Sequence, residues 1–122
     1  MKTRKVSVIA GDGIGPEVIR EGLKVFKKVS PHLKAGLDFR DYDLGAARYL
    51  KTGEAMPESV FKELADSDAI YLGAVGDPKV PPGILEREVL LKIRFDLDLY
   101  INLRPCVLYE GVFTPIKNKT SR

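Results

Sequence analysis

Lys5 to Ala10 is a short β-branched run with charge before it and glycines after it. Such a run reads as a strand buried on both faces. Gly11-Asp12-Gly13-Ile14-Gly15-Pro16-Glu17-Val18 follows at once, and its three glycines in five positions free the backbone for a sharp turn. Pro16 suits the first helical position, and Glu17 complements the helix dipole. The helix is expected to run to about Val29, with Val18, Gly22, Val25, Phe26 and Val29 as its inner face, and Ser30-Pro31 stops it. The turn does not match the dinucleotide fingerprint of the Rossmann fold. Its glycines fall at 11, 13 and 15, with Pro16 where that fingerprint wants glycine or alanine. Asp41 and Asp43 could mimic the ribose-binding acid, but their spacing is wrong for it.

The same alternation continues. A second strand is expected over Leu37 to Leu44, and a short helix over Gly45 to Leu50, ending at Thr52-Gly53. Met56-Pro57-Glu58 opens another helix, with Val60, Phe61 and Leu64 facing inward. Ala69 to Leu72 reads as a third strand. The loop Gly73-Ala74-Val75-Gly76-Asp77-Pro78 follows it, in the position where α/β folds place ligands. Without a ligand it is a plain connection from strand to helix. Val80-Pro81-Pro82-Gly83 is a breaker. A helix from about Ile84 to Tyr100 and a fourth strand over Asn102 to Leu108 complete the pattern, and Glu110 to Arg122 is polar and loop-like. The alternation argues an α/β fold with parallel pairing and helices flanking a central sheet.

Composition narrows the function. The 122 residues suit one domain, and 44% hydrophobic with 30% charged residues is ordinary for a soluble globular chain. There is no run long enough to span a membrane, and the N-terminal apolar run, Val6 to Ala10, is too short for a secretory signal. One cysteine, Cys106, excludes an internal disulfide and fits a reducing, cytoplasmic setting. One histidine, His32, beside that cysteine cannot build a zinc site from soft ligands. The net charge of +3 is mild, and no basic stripe alternates with aromatics, so nucleic acid is not an expected partner.

The most informative chemistry lies between Leu85 and Pro105. Leu90, Leu91 and Arg94 sit at i, i+1 and i+4, so one helix face carries two aliphatic side chains beside a guanidinium. Arg104 precedes Pro105 and is pushed into an extended conformation. Two planar donor forks next to a leucine wall suit a small dicarboxylate with an apolar branch. The plainer reading is that Arg94 makes surface ion pairs with its acidic neighbours and the leucines are core. No general base is evident. Asp77 and Tyr71 are the candidates, and nothing in the sequence orients them. No carboxylate cluster offers a divalent-ion site either.

GDGIGPEV, GAVGDP and LLKIRFDLDLYINLRP, in that order, resemble the β-decarboxylating dehydrogenases, the isocitrate/isopropylmalate dehydrogenase family. The resemblance spans Val6 to about Pro115. It implies the N-terminal part of an isopropylmalate dehydrogenase-like α/β fold, not a Rossmann fold. Residues 1–99 would belong to the first domain, and residues 100–122 would cross into the second. Family enzymes for isocitrate place a serine and an asparagine ahead of the first arginine. Leu90 and Leu91 here resemble the isopropylmalate branch, where aliphatic residues receive the isopropyl group. Tartrate dehydrogenases also carry paired leucines. Glu86-Arg87 departs from the commoner isopropylmalate pattern, and VPPGILERE resembles a sub-branch of it.

The implied activity is NAD-dependent oxidative decarboxylation of 3-isopropylmalate to 4-methyl-2-oxopentanoate, a step of leucine biosynthesis, with Mg2+ or Mn2+ as Lewis acid. The implied substrate residues are Arg94, Arg104, Leu90 and Leu91. The implied cofactor residues are Ile14, Gly73, Ala74, Val75, Gly76, Asp77 and Pro78. The family's metal-binding aspartates and its proton-handling tyrosine and lysine would fall beyond Arg122, so the chain would be a segment of a longer, homodimeric enzyme and inactive by itself. The competing readings are a tartrate- or malate-type dehydrogenase segment and a non-catalytic ligand-binding remnant.

Overall fold

The computed structural model describes residues 2–117. Three strands, β1 (Thr3–Gly11), β2 (Gly36–Asp41) and β3 (Ala69–Ala74), form a parallel sheet in the order β2-β1-β3. Helix α1 (Gly15–Val29) and a 3-10 turn (Ser30–His32) connect β1 to β2. Helices α2 (Ala46–Thr52) and α3 (Glu58–Ala65) connect β2 to β3. A π-helical stretch (Glu86–Leu91) runs directly into α4 (Lys92–Asp96).

Strand β1 is central, and Val6 to Ile9 are buried without alternation, as a strand covered on both faces requires. On one face, Phe26 of α1 packs against Phe39 and, edge to face, against Tyr71. On the other, Ile9 joins Leu44, Met56 and Leu64 together with Leu85, Val89 and Ile93. Each fully buried aliphatic side chain of this kind contributes about 1.5–3 kcal/mol. Ser7 also points to this side and meets the hydroxyl of Ser67, which satisfies a buried polar group.

Helix α1 lies closer to the sheet than its valine spacing suggests. A side chain at Gly15 would run into the backbone of Ala10 and Ala74, and one at Gly22 into the Tyr71 ring. This approach turns Ile19 and Phe26 toward the sheet and leaves Val18, Val25 and Val29 exposed. The expected inner face therefore holds at Gly22 and Phe26 and fails at the three valines. Strand β2 ends at Asp41, and Leu44 enters the core from the following loop. Strand β3 continues to Ala74, so Gly73 and Ala74 are strand residues.

The helix expected to reach Tyr100 stops at Asp96. Asp98 takes a left-handed φ of 53°, and Leu99 N–H donates back to Arg94 O at 2.8 Å, which closes the last turn. The π-helical stretch has a packing role. Four residues overshoot an α-helical turn by about 40°, whereas a wider turn undershoots. The π stretch followed by α4 cancels the drift, so Leu85, Val89 and Ile93 stay on one buried line. The fourth strand expected over Asn102 to Leu108 does not form; the segment has no regular structure and is exposed apart from Leu108. Its β-prone residues have no neighbouring strand among the described residues, and strand propensity expresses itself only on a paired, half-buried surface. Residues 118–122 of the polar C-terminal stretch lie outside the described residues.

Candidate functional site

The connection after β1 leads to one side of the sheet, and the next crosses to the other, so the strand order reverses between β1 and β3. Ligands of open α/β sheets bind at the carboxyl ends of the strands at such a point. Here that position is flanked by the two glycine-containing loops singled out in the sequence, after Gly11 and after Ala74.

Ile14 is the residue before α1, and it is 69% exposed at this edge. Gly73 and Ala74 close β3, and Ala74 pairs with Gly11. Val75 packs on the main core. Gly76 N–H donates to Asp12 Oδ2 at 3.0 Å. The Asp77 carboxylate accepts the Lys79 N–H at 2.8 Å, and Asp77 O accepts the Val80 N–H at 3.0 Å. Asp77 is therefore engaged as a turn former. Tyr71, the other general-base candidate, meets Phe26 of α1 edge to face. A cleft of about 380 Å3 joins Gly76 and Pro78 to Val80, Pro82, Leu85 and Glu86. The loop after β3 and the start of the helix that carries Leu90 and Arg94 thus line one depression.

On that helix the buried line is Leu85, Val89 and Ile93, so Leu90 and Leu91 are not the core residues of the plainer reading. Leu90 is 36% exposed and Leu91 half-buried. Leu90 lies one turn before Arg94, on the same side. Arg94 is half-buried, and among the described residues no carboxylate pairs with it. Its acidic neighbour Asp96 is taken by Lys92 Nζ at 2.7 Å, and Glu58 lies 4.0 Å from the same ammonium. The hydrogen bond to Asp96 holds the Lys92 ammonium above its ordinary pKa. Lys92 also sits over the Phe61 ring, 4.5 Å from its centre, which ties α4 to α3. Arg87 turns back, its Nε donating to Gly83 O at 3.0 Å at the helix start. Arg104 lies ten residues beyond Arg94 on the exposed segment, where its Nε donates to Asn102 Oδ1 at 3.2 Å.

Asp12 escaped the sequence reading. It is a buried carboxylate at the carboxyl end of β1, and both its oxygens accept backbone N–H groups. The available signal was an acid between two glycines at the end of a buried strand. Among the described residues no group of three or more His, Cys, Asp or Glu is gathered to hold a metal ion. No helix there is long and apolar enough to cross a membrane.

Comparison with known proteins agrees with this arrangement. The family description isocitrate/isopropylmalate dehydrogenase matches residues 5–122. A 3-isopropylmalate dehydrogenase of Mycolicibacterium vanbaalenii is 59% identical over 92% of this chain, and one of Thermobifida fusca is 56% identical over 94%. The chain spans about 32% of the length of each. The crystal structure of a β-decarboxylating dehydrogenase from Thermococcus kodakarensis, in its apo form, superposes with a TM-score of 0.65 at 36% identity, covering 80% of this chain and 27% of that one. The motifs, the parallel sheet and these matches agree: the chain belongs to the isocitrate/isopropylmalate dehydrogenase family.

Proposed function

We propose that this chain is the substrate-selecting segment of an NAD-dependent 3-isopropylmalate dehydrogenase. The observation that carries the reading is the Arg94 guanidinium. It has no carboxylate partner among the described residues, stands beside Leu90 and Leu91, and lies on a helix whose start shares a cleft with the loop after β3. A half-buried guanidinium without a partner suits an incoming carboxylate.

In this reading Arg94 and Arg104 hold the two carboxylates, and Leu90 and Leu91 receive the isopropyl group. For Arg104 to take part, the exposed segment that carries it must pack against further chain, as the polypeptide turns toward a second domain. The loop Gly73 to Pro78 and the exposed Ile14 border the nicotinamide side and keep water from it. Their position at the strand reversal, with an open cleft beside the loop, fits a dinucleotide. When bound, NAD supplies the acceptor for the hydride leaving C2 of the substrate, and the β-carboxylate departs as carbon dioxide. A divalent ion, Mg2+ or Mn2+, belongs to the same proposal. The described residues do not fit as its holder, since they gather no ligand set. A cytoplasmic homodimer is the corresponding whole protein.

The test is a comparison of kcat/KM for isopropylmalate, malate and tartrate on the full-length enzyme. An isopropyl group adds three carbons to malate, and a fitted aliphatic wall gains about 2.4 kcal/mol, or about fiftyfold. Tartrate presents a hydroxyl to the same wall, and burying it unpaired costs about 1–3 kcal/mol. We expect isopropylmalate to be best, malate weaker and tartrate weakest. Leu90→Ser with Leu91→Ser should compress the ranking, mainly by loss of isopropylmalate. Equal use of tartrate by the wild type would give the reading to a tartrate dehydrogenase.

A further inference from the structure

Asp12 joins three segments at the carboxyl edge of the sheet. Its own N–H donates to Ala74 O at 2.6 Å. Its Oδ1 accepts the Ala46 N–H at 2.8 Å, and its Oδ2 accepts the Gly76 N–H at 3.0 Å. Helix α2 has no side-chain cap from the residue before it, so Asp12 serves as that cap from another part of the chain. A buried carboxylate is costly unless its oxygens accept hydrogen bonds, and here both accept one from a backbone N–H. Both oxygens are thus committed to backbone donors. The Gly76 bond ties the loop after β3 to the end of β1, beside the packing of Val75 on the core. The loop next uses Asp77 and Val80 to turn on itself.

We infer that Asp12 is a positioning residue for the dinucleotide: through Gly76 N–H it fixes the loop 75–78 at the carboxyl end of β1 before the cofactor arrives. The inference rests on the reading of that loop given under the proposed function. It goes beyond that reading by assigning the loop's placement to a residue that does not touch substrate or cofactor. Asparagine is the informative replacement because it keeps the shape and loses one acceptor. Its oxygen is expected to stay with the Ala46 N–H, since Ala46 is buried in the core at the start of α2. The amide NH2 then faces Gly76 N–H, donor against donor, and the loop is released.

The experiment uses the full-length enzyme carrying this segment, with Asp12→Asn and Gly76→Ala. The second variant leaves the Ala46 bond alone. It strains the loop because Gly76 has a φ of 140°, which L side chains rarely adopt. For both we expect KM for NAD to rise about tenfold, the scale of one lost charge-assisted bond, and KM for isopropylmalate to change less than threefold. In Asp12→Asn the Gly76 amide should exchange faster while the amides of Val8 and Leu72 stay protected. If Asp12→Asn does not fold, the same split in Gly76→Ala supports the inference. Faster Gly76 exchange with unchanged KM for NAD overturns it. So does a parallel rise of both KM values with loss of protection in the sheet, because that is a purely structural role. If the wild type does not reduce NAD with isopropylmalate, the functional reading fails separately. Titration with NADH then decides the inference: weaker binding in both variants supports it, and equal or absent binding overturns it.

Discussion

Replacing Arg94 or Arg104 with methionine in the full-length enzyme tests the two forks directly. A charge-assisted bond to a carboxylate contributes about 1.5–3 kcal/mol, so kcat/KM should fall about tenfold to a hundredfold or more per site. Lysine should rescue only in part, because a point charge replaces the planar fork. Near-normal kcat/KM for either methionine variant would remove that arginine from the substrate site. The structure sharpens the case for Arg94, because Lys92 takes Asp96 and no carboxylate among the described residues pairs with Arg94. The pairing of Lys92 with Asp96 was legible as an i,i+4 spacing; what the sequence did not report is that the helix ends at Asp96, so that Asp98, four residues after Arg94, lies beyond it with a left-handed φ. Asp12 was illegible for a related reason. Its partners, Ala46 and Gly76, lie 34 and 64 residues away, and no local pattern reports a bond of that span.

Elements with strong local signals were readable. Strand β1 followed from Val6, Val8 and Ile9 between the flanking charges and glycines, and α1 from Pro16, Glu17 and the stop at Ser30-Pro31. The errors came where tertiary contacts override spacing: at the valines of α1, at the π-helical stretch, and at the strand that found no neighbour. The π-helical stretch yields an element-scale expectation. It places Leu85 in the core and leaves Leu90 at the surface, so truncating each should act on different quantities. Leu85→Ala, at a fully buried site, should destabilise by about 2–5 kcal/mol with little change in substrate preference. Leu90→Ala should leave stability within about 0.5 kcal/mol and lower kcat/KM for isopropylmalate more than for malate. Urea unfolding beside kinetics on both variants reads this. Equal destabilisation by the two would mean that Leu90 is a core residue after all.

For the whole molecule the decisive quantity is surface. A compact folded protein of 13.5 kDa exposes about 6500 Å2, whereas this chain exposes 9368 Å2. Exposed apolar stretches contribute to the excess. Tyr100, Ile101, Leu103 and Phe113, which is 88% exposed, follow one another along the last segment, and Ile14, Val18, Val25 and Val29 line the outer side of α1. Both outer strands of the sheet, β2 and β3, also lack a neighbour on one edge among the described residues. Unpaired edges and contiguous apolar patches are templates for association. Produced by itself, the 122-residue polypeptide should therefore self-associate and melt without a cooperative transition. It should also produce no NADH from isopropylmalate, since Tyr71 is committed to packing and the described residues gather no metal ligands. Analytical ultracentrifugation, a thermal melt and an assay free of host enzyme measure the three outcomes. A compact monomer with a sharp melt would show that the exposed stretches fold back on the sheet, and turnover by the purified polypeptide would show that it holds the reactive groups itself.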